Sequence, residues 1–294
     1  MSSRAAVPHP AVDVRRPAVQ HLPVVLSSPH SGRLYPEAFT ARSRLDPLTL
    51  RRSEDSFVDD LFADASALGV PLVKALFPRA FVDVNREAYE LDPEMFADPL
   101  PAYANTRSLR VSAGLGTIAR VVANGAEIYR DKLPVAEALS RIDQCYFPYH
   151  RALQDLIFET RGRFGYCLLL DCHSMPSSGL ADDAAPRPSD IVLGDGHGRT
   201  CGRALTEEAA AFLAGRGYRV ARNRPYSGGY ITRHYGRPGD AVHALQIEIN
   251  RSLYMDEVRI RPKHGIGPLR AHLTELVATL GRLDPGALLP LAAE

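Results

Sequence analysis

Three consecutive leucines run directly into polar residues within Leu168–Met175, and this junction constrains the fold more than any other stretch. Such an apolar run is typical of a strand buried on both faces of an α/β sheet. Ligands in these folds bind at the carboxyl ends of strands. Alternation along the strand places Asp171 and His173 on one face. A carboxylate beside an imidazole suits a metal site or an acid/base pair, although a histidine that only packs against the loop gives the same pattern.

A second strand end offers another imidazole. The apolar run Val24–Leu26 stops at a turn that presents His30. Residues 47–69 have the apolar spacing of an amphipathic helix, with Glu54 near the middle of its apolar face and Asp55 near the edge. Two imidazoles and one carboxylate form the ligand set of hydrolytic zinc sites. The alternative is that each histidine is a loop residue hydrogen-bonded to the backbone.

The remaining chain alternates between strand and helix patterns. Strands are predicted at 71–76, 81–85, 190–193, 218–221 and 242–249, and helices at 134–163, from 198 through 213, and at 266–283. This alternation predicts a mostly parallel sheet flanked by helices. Residues 87–110 form a long excursion of the kind that often serves as a lid. Residues 1–23 show no periodicity and are predicted to be a loosely ordered arm, followed by one catalytic domain over 24–294.

A carboxylate in an apolar strand and two arginines complete the candidate chemistry. Burying Glu248 among the apolar residues of its strand is costly unless the side chain is paired or used. It would serve as a general base, or else form a salt bridge to an arginine such as Arg251. Arg86 and Arg233 follow strand or glycine-rich segments and suit bidentate capture of a substrate carboxylate.

The charge and the cysteines of this chain indicate its class of partner and its cellular compartment. Its 294 residues carry 35 basic and 34 acidic side chains without blocks, a formal net charge of +1. We therefore expect no nucleic-acid or membrane partner and a small molecule as the default ligand. The four cysteines form no Cys-x-x-Cys pair, which favours a reducing compartment. Because no signal-peptide segment or long apolar run is present, we expect a cytoplasmic protein.

Several motifs together resemble the N-formylglutamate amidohydrolase family. They are Ser28-Pro29-His30-Ser31-Gly32, Glu54-Asp55-Ser56-Phe57-Val58-Asp59, Asp83-Val84-Asn85-Arg86, Asp171-Cys172-His173-Ser174, Gly229-Tyr230-Ile231-Thr232-Arg233-His234-Tyr235-Gly236 and Gln246-Ile247-Glu248-Ile249. The resemblance implies a three-layer α/β/α fold with a mixed, mostly parallel sheet, of the zinc-exopeptidase or phosphorylase/hydrolase-like type. It also implies hydrolysis of N-formyl-L-glutamate to formate and L-glutamate, at the end of a histidine-degradation route.

The resemblance also implies roles for individual residues. Zinc would be held by His30, Asp55 and His173, with Glu248 as the base. The substrate's carboxylates would be bound by Asn85, Arg86 and Arg233, and His234 would line the pocket or polarise the carbonyl. The family pattern aligns best with Asp55, whereas helical periodicity favours Glu54. We therefore predict Asp55 as the acidic ligand and keep Glu54 as the alternative.

The sequence leaves the identity of the substrate's acyl group and of its amino acid open. Residues 113–129 stand where better-studied members of the family carry a different pocket loop. One alternative is a carboxypeptidase-like enzyme or another N-acyl amino acid deacylase that uses the same metal. A second alternative is a small-molecule binding protein without catalytic activity on the same scaffold. Neither pattern nor resemblance predicts the oligomeric state.

Overall fold

The structure, a computed structural model, describes residues 10–122, 125–178 and 188–288. The strands are β1 Val12–Arg15, β2 Val24–Ser28, β3 Leu72–Ala75, β4 Cys167–Met175, β5 Ile191–Gly194, β6 Val220–Arg222, β7 Val242–Asn250, β8 Met255–Asp256 and β9 Arg261–Pro262. The helices are α1 Glu37–Arg42, α2 Pro47–Leu50, α3 Val58–Leu61, α4 Leu109–Ser112, α5 Val135–Arg141, α6 Phe147–Phe164, α7 Arg203–Gly215, α8 Tyr230–Tyr235 and α9 Ile266–Leu280. No helix within these ranges has the length and apolar character needed to cross a membrane.

Seven strands form the main sheet, in the order β1-β3-β2-β4-β7-β5-β6. The central strands β2, β4 and β7 are parallel, and β5 runs antiparallel to β7 and parallel to β6. Helices cover both sides of this mixed, mostly parallel sheet. The predicted α/β/α fold class is therefore confirmed.

The chain divides into two compact units, and the larger one contains the central strands. It comprises Val14–Ser28, Phe57–Val73 and the described part of Leu153–Glu294. Alternate residues of β2, β4 and β7 join side chains of α3, α7 and α9 in one apolar core. The residues between them on these strands point to the other face. That face carries Ser27, Asp171, His173, Gln246 and Glu248, all of them buried.

The smaller unit comprises the described part of Met1–Asp13, together with Pro29–Ser56 and Lys74–Ala152. At its centre lies Arg141, whose buried guanidinium packs against three aromatic rings, those of Phe39, Phe81 and Tyr129. The guanidinium also donates a hydrogen bond to the Tyr129 hydroxyl and pairs with Glu137. A buried arginine is tolerated here because its charge is paired and because Nη1 and Nη2 both find hydrogen-bond partners.

Most predicted elements are present, but two predictions were wrong. The helix predicted over 47–69 is broken into α2, α3 and short 3-10 turns. Phe57 adopts a left-handed φ of 68°, and the Asp55 N–H donates to the His30 carbonyl instead of to its own helix. The strand predicted at 81–85 is a turn, in which the Asp83 carboxylate accepts from the Asn85 N–H. Local apolar spacing does not report such long-range or turn-forming hydrogen bonds.

The helix predicted over 134–163 is present, with an addition that periodicity did not reveal. Helix α5 passes through a five-residue π-helical segment, Ile142–Tyr146, into α6. Gly165, with a φ of 83°, follows directly after the end of α6. The predicted division into an arm and a single domain stays a prediction. Residues 1–9 of that arm lie outside the described residues, and β1 lies within its second half.

Candidate metal centre

Two histidines and one aspartate form a candidate metal-binding group. His30 follows β2 by two residues and His173 lies near the end of β4. With Asp55, each offers one ligand atom, and these atoms lie within 4.8 Å of one another. All three side chains are buried. The positions of these residues therefore support the prediction of a metal site built from them.

The ring of His30 is held by an aspartate that the sequence analysis gave no role. Its Nε2 lies 2.7 Å from Asp83 Oδ1. Burial would raise the pKa of Asp83, but the charges of Arg79 and Arg86 and the hydrogen bond from His30 outweigh burial and hold this pKa well below its usual range. Because an ionised carboxylate only accepts hydrogen bonds, Nε2 must carry the proton. The lone pair is then on Nδ1, 3.3 Å from Asp55 Oδ2.

A second aspartate holds His173 in the same manner. His173 Nε2 lies 2.9 Å from Asp171 Oδ2, and the Ser27 hydroxyl donates to Asp171 Oδ1 over 2.8 Å. The prediction that Asp171 and His173 share one face of the strand is confirmed by this contact. Histidine ligands commonly donate their other ring N–H to a carboxylate, which fixes the tautomer and makes the ligand nitrogen more basic.

The donor set fits a divalent metal ion. Two ligand atoms each about 2.1 Å from a tetrahedral ion are separated by about 3.4 Å. The 3.3 Å between His30 Nδ1 and Asp55 Oδ2 agrees with that separation. Carboxylate partners on both rings leave Nδ1 as the donor atom in each case. The separation of the donor atoms and their chemistry are compatible with zinc.

The structure decides between the two acidic residues that the sequence analysis left open. Glu54 accepts hydrogen bonds from Tyr35 (2.7 Å), from Ser56 (2.7 Å) and from both Nε and Nη2 of Arg51. Burial, together with the Glu54 charge, raises the pKa of Tyr35 far above its ordinary value. Asp55 instead belongs to the metal-binding group. The prediction of Asp55 over Glu54 is therefore supported, and Glu54 serves as an internal partner for Arg51.

Glu248 stands directly beside His173 on the neighbouring parallel strand. The register of β4 and β7 pairs His173 with Glu248, so both side chains point to the same face of the sheet. Gln246 Nε2 donates to Glu248 Oε1 over 2.7 Å. The carboxylate is buried, as predicted. A buried carboxylate beside a candidate metal ligand is placed where a general base acts.

The predicted substrate residues Asn85 and Arg86 follow Asp83 in one buried turn. Arg86 donates from Nε to the Leu115 carbonyl and from Nη1 to the Asn85 carbonyl. Burial lowers its pKa to about 10, so the guanidinium is still charged at neutral pH. The π-helical segment and α6 hold this turn. Tyr146 in the π-helical segment donates to the Arg86 carbonyl (2.7 Å), and His150 Nε2 in α6 lies 2.9 Å from the Val84 carbonyl.

Arg233 and His234 lie on α8. Arg233 is exposed, and its Nη1 donates to the Gly228 carbonyl over 2.9 Å. His234 lines a surface groove with Phe158 and with Val242, the first residue of β7. The predicted roles of these two residues stay predictions.

Sequence reasoning missed three residues that contact the predicted ones. They are Asp83 on His30, Gln246 on Glu248, and Tyr146 on the carbonyl of Arg86. Asp83 is the first residue of the motif Asp83-Val84-Asn85-Arg86, and the alternation of β7 places Gln246 on the same face as Glu248. Both residues could therefore have been identified from the sequence. Tyr146 carried no signal in the sequence, because its position depends on the π-helical segment and π-bulges have no simple sequence pattern.

The fold and the site together define a class of protein. A mixed α/β/α sheet, two histidines and one carboxylate as candidate metal ligands, and a buried glutamate beside one of these histidines are features found together in hydrolases. Residues 22–255 match the family model of N-formylglutamate amidohydrolase. The chain belongs to this family, and the resemblance noted from its motifs is confirmed.

Known relatives agree with this assignment. The N-formylglutamate deformylases of Pseudomonas aeruginosa and Pseudomonas putida are each 32% identical to this chain, over 241 and 245 residues respectively. Both alignments cover 80% of this chain and 83% of the relative. The crystal structure of an N-formylglutamate amidohydrolase from Ralstonia eutropha JMP134 superimposes with a TM-score of 0.87 at 36% identity, covering 92% of this chain and 97% of that one.

Proposed function

We propose that this chain is an N-formylglutamate deformylase, which hydrolyses N-formyl-L-glutamate to formate and L-glutamate. Family membership and the two Pseudomonas deformylases support the reaction and the substrate. The observation that carries the proposal is the pairing of His173, one of three candidate metal ligands, with the buried Glu248 in the register of β4 and β7. We also propose that this reaction stands at the end of a histidine-degradation route, as the resemblance to the family implies.

The residues that would hold the metal are His30, Asp55 and His173, and we propose zinc as the ion. Its support is the donor set, two imidazoles and a carboxylate with carboxylate partners on both rings. Bound zinc would supply a Lewis acid that polarises the carbonyl and lowers the pKa of water. Asp83 and Asp171 would keep both imidazoles in the tautomer that donates from Nδ1.

Glu248 would move the proton that the hydrolysis requires. As the oxygen of a water molecule adds to the formyl carbon, the carboxylate takes one proton from that water. When the C–N bond breaks, Glu248 passes the proton to the departing amide nitrogen. The formyl carbon leaves as formic acid, whose remaining proton is lost to give formate, and the amino group of L-glutamate takes up a proton at neutral pH. The atoms therefore balance, and Glu248 returns to its starting state.

Binding of the two substrate carboxylates is assigned to Arg86, Asn85 and Arg233. Arg86 is buried, charged and held by two backbone carbonyls, which restricts its side chain before the substrate binds. A restricted guanidinium loses less entropy on binding a carboxylate than a mobile lysine does. We propose the same role for Arg233, whose Nη1 donates to the Gly228 carbonyl. A free N-acyl amino acid is therefore the proposed partner, in a reducing, cytoplasmic setting that the four free, buried cysteines favour.

The proposal is tested by metal analysis combined with formate release. The purified chain is assayed with N-formyl-glutamate, N-formyl-glutamine, N-acetyl-glutamate and dipeptides ending in glutamate. We expect about one metal ion per chain, the highest kcat/KM for N-formyl-glutamate, and loss of turnover with a chelator. Faster cleavage of the acetyl compound or the dipeptides would favour a different deacylase or a carboxypeptidase-like enzyme. A metal-loaded chain that releases no product from any of them would leave only a binding role.

A further inference from the structure

A single glutamine connects the proposed base to a glycine-rich loop. Gln246 lies two residues before Glu248 on β7, on the same face, and is almost fully buried. Its Nε2 donates to Glu248 Oε1 over 2.7 Å. Its Oε1 accepts from the backbone N–H of Gly229 over 2.6 Å. The side chain therefore spans the space between the start of α8 and the carboxylate of Glu248.

The chemistry of this contact fixes the orientation of the amide. A backbone N–H can only donate, so the Gln246 atom that faces Gly229 must be the oxygen. The nitrogen then faces Glu248 and must donate, so Glu248 Oε1 accepts. An aspartate or glutamate in place of Gln246 could satisfy Gly229 but could not donate to Glu248 as a carboxylate.

The loop that presents the Gly229 N–H is itself fixed in place. Gly228 has a φ of 120°, and a Cβ there would lie 2.6 Å from Thr232 Oγ1. A Cβ at Gly194, the last residue of β5, would lie 2.7 Å from the Gly228 nitrogen. The Gly196 N–H also donates to the Ser227 carbonyl over 2.8 Å. Close backbone packing of this kind gives Gln246 a rigid anchor.

We propose that Gln246 is a positioning residue that holds Glu248 in the orientation required for proton transfer. This inference rests on the deformylase function proposed above. A buried carboxylate with one oxygen held by a donor loses rotational freedom before the substrate arrives, and such preorganisation raises kcat. Helix α8, which begins directly after Gly229, carries Arg233, whose Nη1 donates to the Gly228 carbonyl, so Gln246 also links the base to a proposed substrate-binding segment.

Two substitutions separate positioning from packing. Gln246→Met keeps the size of the side chain but removes both hydrogen bonds. We expect kcat for N-formyl-glutamate to fall about 10- to 100-fold, the usual effect of removing a supporting partner, with KM within about twofold of wild type. Gln246→Glu keeps the acceptor for Gly229 and loses the donor to Glu248, so its kcat should fall at least as far. Gln154→Met, at an exposed site on α6, is the matched control and should leave both constants unchanged.

A stability comparison tests the contact without using activity. Gln246→Glu places two carboxylates side by side in a buried site and should lower the melting temperature by about 2–8 °C. In the double variant that also carries Glu248→Gln, the amide at position 248 can donate to the carboxylate at position 246. The double variant should therefore recover most of the lost melting temperature without recovering turnover.

Wild-type kcat in Gln246→Met, or a double variant no more stable than Gln246→Glu, would overturn the assignment. If the wild-type chain releases no formate, the deformylase proposal fails instead, and the melting temperatures alone decide whether Gln246 holds Glu248.

Discussion

The Nε2 atom of His30 lies 2.7 Å from Oδ1 of Asp83, and both side chains are buried. This contact sets the tautomer of a candidate metal ligand from a residue 53 positions later in the chain. Asp83 also pairs with Arg79 (3.0 Å) and Arg86 (3.4 Å). One carboxylate thus orients a candidate metal ligand and neutralises part of the charge on a proposed substrate-binding arginine.

Replacing Asp83 should therefore weaken metal binding more than it weakens folding. In Asp83→Asn the side chain no longer carries the charge that fixes the tautomer of His30, and we expect metal affinity to fall about 10- to 100-fold. Competition with a chromophoric chelator measures the affinity. Asp155→Asn, at an exposed position on α6, is the matched control and should bind metal as the wild type does. Unchanged affinity in Asp83→Asn would contradict the tautomer argument.

The two neighbouring acidic residues should have separable effects. Asp55→Asn should abolish stoichiometric metal binding, because it removes a charged ligand. Glu54→Gln should keep the metal but lose about 1–3 kcal/mol of unfolding free energy, since it weakens the hydrogen bonds from Arg51, Tyr35 and Ser56. Elemental analysis and denaturant unfolding distinguish the two variants. Loss of metal in Glu54→Gln with retention in Asp55→Asn would reverse the assignment.

Removing the proposed base should stop turnover without removing the metal. Glu248→Gln cannot accept a proton, and we expect kcat to fall about 10²- to 10⁴-fold. Metal content measured on the same preparation should equal that of the wild type, because Glu248 is not in the metal-binding group. A fully active Glu248→Gln enzyme would exclude this residue as the base.

The π-helical segment should affect substrate binding through Tyr146. In Tyr146→Phe the buried Arg86 carbonyl loses its donor, which costs about 1–3 kcal/mol of stability. If Arg86 binds a substrate carboxylate, KM should rise several-fold with a smaller change in kcat. Steady-state kinetics and thermal unfolding measure both effects. Tyr103→Phe, on an exposed side chain, is the control. A stability loss with unchanged KM would show that the contact only supports the fold.

The four cysteines should be unreactive in the folded protein. Burial raises the pKa of Cys145 and of Cys201 to about 12, and burial also raises those of Cys167 and Cys172. At pH 8 the thiolate fraction of a group with a pKa near 12 is about 10⁻⁴, and the thiolate is the reactive form. A chromogenic disulfide reagent should therefore label no cysteine until denaturant is added, and then all four. Rapid labelling of the native protein would contradict the described burial.

Sequence patterns determined those parts of the fold in which local periodicity and burial agree. The leucine run predicted β4, alternation predicted that Asp171 and His173 share a face, and the apolar strand predicted a buried Glu248. The π-helical segment and the break after residue 50 had no such signature, because each depends on hydrogen bonds that the chain makes elsewhere.

The sequence by itself determined which residues form the central strands and which histidines lie near the ends of two of them. An apolar run and an alternation with a period of two are properties of adjacent residues, so both can be recognised without the fold. Only the tertiary structure decided that Asp55 rather than Glu54 joins those histidines, because the choice depends on Arg51, Tyr35 and Ser56 engaging Glu54. It also decided that Asp83 holds His30 and that Gln246 holds Glu248. Contacts between side chains depend on where the backbone carries them, which no local pattern encodes.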